Sequence, residues 1–308
     1  MHIKNIIISF SIMLLLSTFI SSKSTKQFDF SKTESLPNSI NINDSLYCDQ
    51  TEISNIDWME YMFWNKRIFG EESNEYLSSL PDTSVWLEHE CCVNDYYDYY
   101  LNHPVFRNYP VVGISQLQAE VYSKWRSDRV FEYYLVKNEI LEYDTIQTSE
   151  NYFTIEKFFN GDFKLKVADI IVSHYPEFRL PSYKERLLIL EYSDSIDRAY
   201  FAKCKFKKCK ECKGKFPEMW TDIQICEKDL FKESPTRAVE VNCTDEKGSQ
   251  LFNLRGNVRE WISAPNIAVG GGWIDKREKI LQSEIMITKG VNAYTGFRNV
   301  CVWRKYQN

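Results

Sequence analysis

The chain has 308 residues, of which 44% are hydrophobic and 15% aromatic, enough apolar material for one large core and too much for a disordered chain. Its 43 acidic and 38 basic residues leave a formal net charge of −5 and are spread along the sequence. Without a basic stripe there is no electrostatic footprint for nucleic acid, and none is expected as a partner.

Lys4 precedes an apolar run from Ile6 to Ile20, interrupted by Ser9, Ser11, Ser17 and Thr18 and followed by Ser21, Ser22 and Lys23. This order reads as a signal peptide over residues 1–22. The run falls short of the roughly 20 apolar residues a bilayer span needs, so no stable transmembrane segment is expected after cleavage. The first cysteine is Cys48, too late for lipid attachment after the apolar run. The expected product is exported and not lipidated, either periplasmic or associated with the cell envelope.

Residues 23–46 are rich in Ser, Asn, Lys and Thr and read as a flexible tether, because few large side chains are present to offset the entropy of ordering. From 47 to 305 apolar residues recur without a Pro/Gly/Ser-rich break or a repeat, which predicts one domain. Three helix starts are legible as capping pairs: Ser54 with Asp57, Ser115 with Gln118, and Ser182 with Glu185. Leu117, Val121, Tyr122 and Trp125 continue the second at helical spacing to about Asp128; Trp58, Met59, Met62 and Phe63 follow the first. Short strands are expected at Tyr109 to Ile114, Ala168 to Val172 and Ile285 to Ile287. Glycine turns dominate the last third, at Gly256, Gly270 to Gly272, Gly290 and Gly296. The fold class is therefore α+β, with few helices, short strands and long loops whose backbone groups need ions, disulfides or side-chain caps.

Nine cysteines in an exported chain suggest disulfides, with an odd thiol left over. Cys204, Cys209, Cys212 and Cys226 lie in a Cys/Lys-rich insertion at about 200–230. Their C-x4-C-x2-C spacing resembles half of a zinc ribbon, but export favours disulfides over zinc. The tract Tyr96 to Tyr100 offers rings to a glycan or protein partner, although inward packing explains it as well and is the preferred reading.

The run Asn253-Leu254-Arg255-Gly256-Asn257-Val258-Arg259-Glu260-Trp261 resembles the GN-x-x-EW signature of the formylglycine-generating-enzyme, or sulfatase-modifying-factor, family. Gly271-Gly272-Trp273 resembles its GGSW turn and Gly296-Phe297-Arg298 its GFR. Upstream, Pro110 to Ser115 is similar to PVVGVSW, and Arg179-Leu180-Pro181-Ser182 to the start of RLPTEAEWE. The motifs keep the family's order and span most of the chain. Three further stretches resemble the gliding-motility lipoprotein branch: Asp49 to Asn55, Pro81 to Trp86, and Asn102-His103-Pro104 through Trp125 to Arg129. The resemblance implies an irregular fold related to C-type-lectin-like domains.

It also implies a structural calcium ion on the GN-x-x-EW loop, with Asn253, Gly256, Val258 and Glu260 as the matching ligands. The alternative is that Asn253 and Glu260 merely cap turns. Family enzymes that oxidise a sulfatase cysteine carry a copper-binding cysteine pair between GGSW and GFR, whereas here Ile274 to Thr295 contains no cysteine. Copper(I) needs soft thiolate ligands, so no copper and no catalytic residues are expected. The histidines left after the signal, His89, His103 and His174, are too scattered for an iron site.

The expected function is thus a pseudoenzyme: a non-catalytic scaffold or accessory of a gliding or secretion apparatus, bound to cell-envelope proteins. The alternative is a secreted protein that binds ligands through a C-type-lectin-like surface. Were the chain active, formylglycine-generating-type oxidation would be the family expectation. No Ser/His/Asp, Cys/His or paired-carboxylate arrangement argues for another chemistry.

Overall fold

The computed structural model describes residues 26–89, 93–167, 170–206, 248–275 and 285–307. In chain order its elements are β1 (Lys26–Phe28), α1 (Phe30–Thr33), β2 (Ser39–Asn41), β3 (Tyr47–Asp49), α2 (Asn55–Phe69), α3 (Asn74–Leu77), α4 (Val93–Tyr99), α5 (Gln116–Lys137) and α6 (Ile155–Asn160). Then follow β4 (Ile170–Val172), β5 (His174–Arg179), α7 (Tyr183–Phe206), β6 (Arg259–Trp261), β7 (Ile267–Val269), β8 (Met286–Ile287), β9 (Thr295–Gly296) and β10 (Val300–Lys305). This is the α+β class with short strands and long loops that the sequence predicts.

Two helices begin at reciprocal caps. The Ser54 backbone N–H donates to Asp57 at 3.0 Å and the Asp57 N–H donates back to the Ser54 hydroxyl at 3.4 Å. Ser115 and Gln118 do the same at 2.8 and 3.2 Å, satisfying donors that a helix start leaves open. The Ser182–Glu185 pair is present too, with Glu185 also held by Arg179 at 2.6 and 2.9 Å. Helix α5 runs nine residues beyond Asp128, because Phe131, Tyr134 and Leu135 keep the buried stripe going into a second aromatic cluster.

Strand β10 crosses the molecule between β3 and β5, giving the antiparallel order β2-β3-β10-β5. The second four-stranded sheet, β8-β7-β6-β9, carries the Gly256 to Trp261 motif on β6, with β9 parallel to it. Between these layers α2 and α5 bury Trp58, Tyr61 and Tyr122 against Phe297, and the Trp58 and Tyr122 rings stack at 5.3 Å.

The stretch read as a tether is built into the fold from Lys26 onward. Strand β1 pairs in parallel with β4, and Phe30 is fully buried against Phe131 and Tyr134. Strand β2 adds an edge to the β10 sheet. Its apolar side chains are few but each enters a core formed by distant residues, which composition alone does not reveal. Tyr109 to Ile114 is extended without being a strand. Its backbone bonds go to loop groups instead, with the Val111 N–H donating to the Ile53 carbonyl and that of Gly113 to Asn292. The other two strand expectations correspond to β4 and β8, shortened.

Candidate functional site

Beneath the motif loop lies a cluster of buried charge. Glu260, on β6, and Glu52, on the loop leading to α2, are at most 1% exposed, as is Arg298; Arg186, from the first turns of α7, is 2% exposed. The Glu260 Oε1 atom accepts from Arg298 Nε at 2.8 Å and its Oε2 from Arg186 Nη1 at 2.7 Å. Arg298 goes on to donate to the backbone carbonyls of Asp49 at 3.1 Å, Gln50 at 3.0 Å and Phe252 at 2.5 Å, and Arg186 donates to that of Leu254. Glu52 accepts from the side-chain amides of Asn253 at 3.2 Å and Asn257 at 3.0 Å, two residues whose φ angles of +51° and +57° are left-handed. Burial, opposed by Arg298, pushes Glu52 up to about 8. Two carboxylates and two guanidiniums thus hold a loop that lacks regular ladders.

Of the residues expected to ligate calcium, Asn253 and Glu260 join this cluster. The Gly256 N–H donates to the Gly270 carbonyl at 2.8 Å, and Val258 is buried beside Trp86 and Ala293. Among the described residues no group of three or more His, Cys, Asp or Glu side chains is placed to hold a metal ion. The sequence marks Arg298 as the end of the GFR motif but does not single out Arg186 or Glu52. Arg186 had a signal: it precedes Ile189, Leu190 and Ser193 at helical spacing, so a charged residue stands on the buried stripe of α7.

The Gly271-Gly272-Trp273 turn faces Ala293 and Tyr294. Trp273 Nε1 donates to the Ala293 carbonyl at 2.9 Å, and its ring stacks on Trp86 at 6.0 Å and meets His89 at 5.0 Å. Arg259 is fixed beside them by Asp275 at 2.6 and 2.8 Å and lies over the Tyr294 ring. Burial lowers the His89 pKa, and its Nε2 is buried with no hydrogen-bond partner. Within the described residues this wall is aromatic and carries no thiol. Cys48 and Cys301 are free and buried on β3 and β10; burial pushes Cys48 up to about 12 and raises Cys301 as well, so both are poor nucleophiles and poor ligands.

A groove of about 520 Å³ runs along α5 between the start of α6 and β5. Glu120, Lys124 and Asp128 line one side, Glu156 the other, with Tyr175 and Tyr306 contributing rings. Asp128 is 7% exposed and accepts from the Ile155 N–H at 2.9 Å; burial pushes it up to about 6. The volume is within the range of small-ligand sites.

In the tyrosine tract Tyr96 and Tyr100 are buried against Trp86 while Tyr97 and Tyr99 are exposed, the four-residue spacing of α4 in place of strand alternation. His103 caps a short 3₁₀ turn and packs on Phe106, and His174 is on β5 beside Ser173. The signal segment, the Cys204 side chain, Cys209, Cys212 and Cys226 lie outside the described residues. No described helix is long and apolar enough to cross a membrane.

A search of curated proteins finds no match. Among solved structures, one described as "Crystal Structure of CarF" is similar at 13% identity over 85% of this chain and 87% of that chain, with a TM-score of 0.42. The family described as "Sulfatase-modifying factor enzyme 1-like domain" matches residues 21–301, nearly the whole length, and the chain belongs to this family.

Proposed function

We propose that this chain is a non-catalytic, exported member of the family, acting as a scaffold or accessory protein of a gliding or secretion apparatus in the cell envelope. The observation that carries the reading is the interval from Ile274 to Thr295, which contains no cysteine where the family oxidases hold their copper. The burial of Cys48 and Cys301 supports it, since neither thiol reaches a surface where a substrate could meet it. The stretches similar to the gliding-motility branch, from Asp49 to Asn55 and from Asn102 to Arg129, supply the choice of apparatus. Crosslinking the protein in intact envelopes tests this: it should join components of the gliding or secretion machinery. A monodisperse monomer without crosslinked partners would count against a scaffold.

The groove on α5 favours a second reading, a secreted ligand-binding protein. Arg179 on its wall is already paired with Glu185, which leaves Glu120, Asp128 and Glu156 facing one lysine. A cationic ligand suits that balance. Arrays of glycans and basic peptides test it, and the absence of any specific binding would remove the reading.

A further inference from the structure

Resemblance assigns the loop from Asn253 to Glu260 to calcium, but the one carboxylate of that donor set is already committed. Calcium gathers roughly six to eight oxygens, with carboxylates supplying the compensating charge. Here both Glu260 oxygens are engaged, one by Arg298 at 2.8 Å and one by Arg186 at 2.7 Å. The neighbouring backbone oxygens of Asp49, Gln50, Phe252 and Leu254 accept from the same two side chains. Any dication brought to Glu260 would meet two fixed positive charges and carbonyls whose donors are already in place.

We propose that Arg186 and Arg298 take the place of a metal ion in this chain, so that the motif loop folds without calcium. A guanidinium suits the role: it stays charged, is weakly hydrated, and its planar fork serves a carboxylate and a carbonyl together. Both guanidiniums bond Glu260, and Arg298 Nη2 also lies 3.8 Å from Glu52 Oε2. The backbone is shaped around this arrangement. A Cβ at Gly270, where φ is +92°, would stand 2.9 Å from Arg186 Nη2, so the turn before Trp273 leaves room for the guanidinium. Arg186 stands where the family segment RLPTEAEWE, which the stretch from Arg179 resembles, has tryptophan.

The test uses the mature protein purified without chelator, its metal content measured by mass spectrometry, calcium titrated by calorimetry, and melting curves recorded in calcium and in EDTA. The expected result is no retained calcium, no titration heat and superimposable melting curves. Glu260→Gln should lower the melting temperature by the same shift in both media. The proposal is overturned if the wild-type chain retains about one calcium ion and its melting temperature falls in EDTA, since a ligand that binds only the native state must stabilise it. That result rests on the wild-type protein and stands even if the variant does not fold.

Discussion

The core packed by α2 and α5 and the cluster beneath the loop from Gln250 to Val258 are held together by different means. Under the helices the core is rings: Trp58, Tyr61, Tyr122 and Phe297 pack at centroid distances of 5.3 to 6.0 Å around Trp58 and Tyr122. Under the loop the core contains Glu52, Arg186, Glu260 and Arg298. A helix satisfies its own carbonyls and can turn an apolar face inward, whereas an irregular loop buries carbonyls that need outside donors. Arg298 alone serves three of them. Arg186, on α7, and Glu260, on β6, thus carry charge from regular elements to the loop, where Arg186 serves the Leu254 carbonyl.

The comparison breaks most directly at Arg298. Arg298→Ala should cost about 3–5 kcal/mol, because it removes one of the two guanidiniums on buried Glu260 and the side-chain donor of three backbone carbonyls. A urea unfolding curve checks this, and a loss under about 1 kcal/mol would mean the loop stands without its charges. Trp58→Ala, in the core packed by α2 and α5, should cost about 3–5 kcal/mol through lost burial and the cavity left behind. The same curve measures it.

A third prediction concerns pH. Burial pushes Asp128 up to about 6, above the usual aspartate range, so between the unfolded and folded values the native state binds more protons than the unfolded one. Its contribution to stability is therefore greatest below the unfolded value and declines as pH rises through about 6. Asp128→Asn should flatten that part of the stability–pH profile measured by urea unfolding, and an unchanged slope would show that the carboxyl is better solvated than its burial indicates. The smallest effect is at the second cap: Ser115→Ala should cost about 1 kcal/mol, because the Gln118 backbone N–H loses its hydroxyl acceptor. Thermal melting of the variant reads this out.

Local chemistry made part of the fold legible. The three capping pairs are short-range patterns, and each opens a helix in the structure. The motif residues Gly256 and Gly270 take φ angles of +97° and +92°, as turn glycines should. What sequence hid is long-range. Nothing near Phe30 announces that it packs on Phe131 and Tyr134, about a hundred residues away. Gln147 and Arg129 likewise meet only in space, both bonded to Glu132. In the candidate site, Arg298 was readable because it ends a motif, and the GN-x-x-EW loop was readable as a motif. The pairing of Glu260 with Arg186, 74 residues upstream, was not, and this pairing decides how the loop is held.

The proposed loss of the family's oxidase chemistry is met head on by one assay. The mature chain, loaded with copper(I), is incubated with a peptide carrying a sulfatase cysteine motif under oxygen, and conversion of the cysteine to formylglycine is followed by mass spectrometry. The account predicts no stoichiometric copper and no conversion above the protein-free control. Turnover with bound copper would contradict it, because thiols outside the Gly272 to Gly296 interval would then have to form the site.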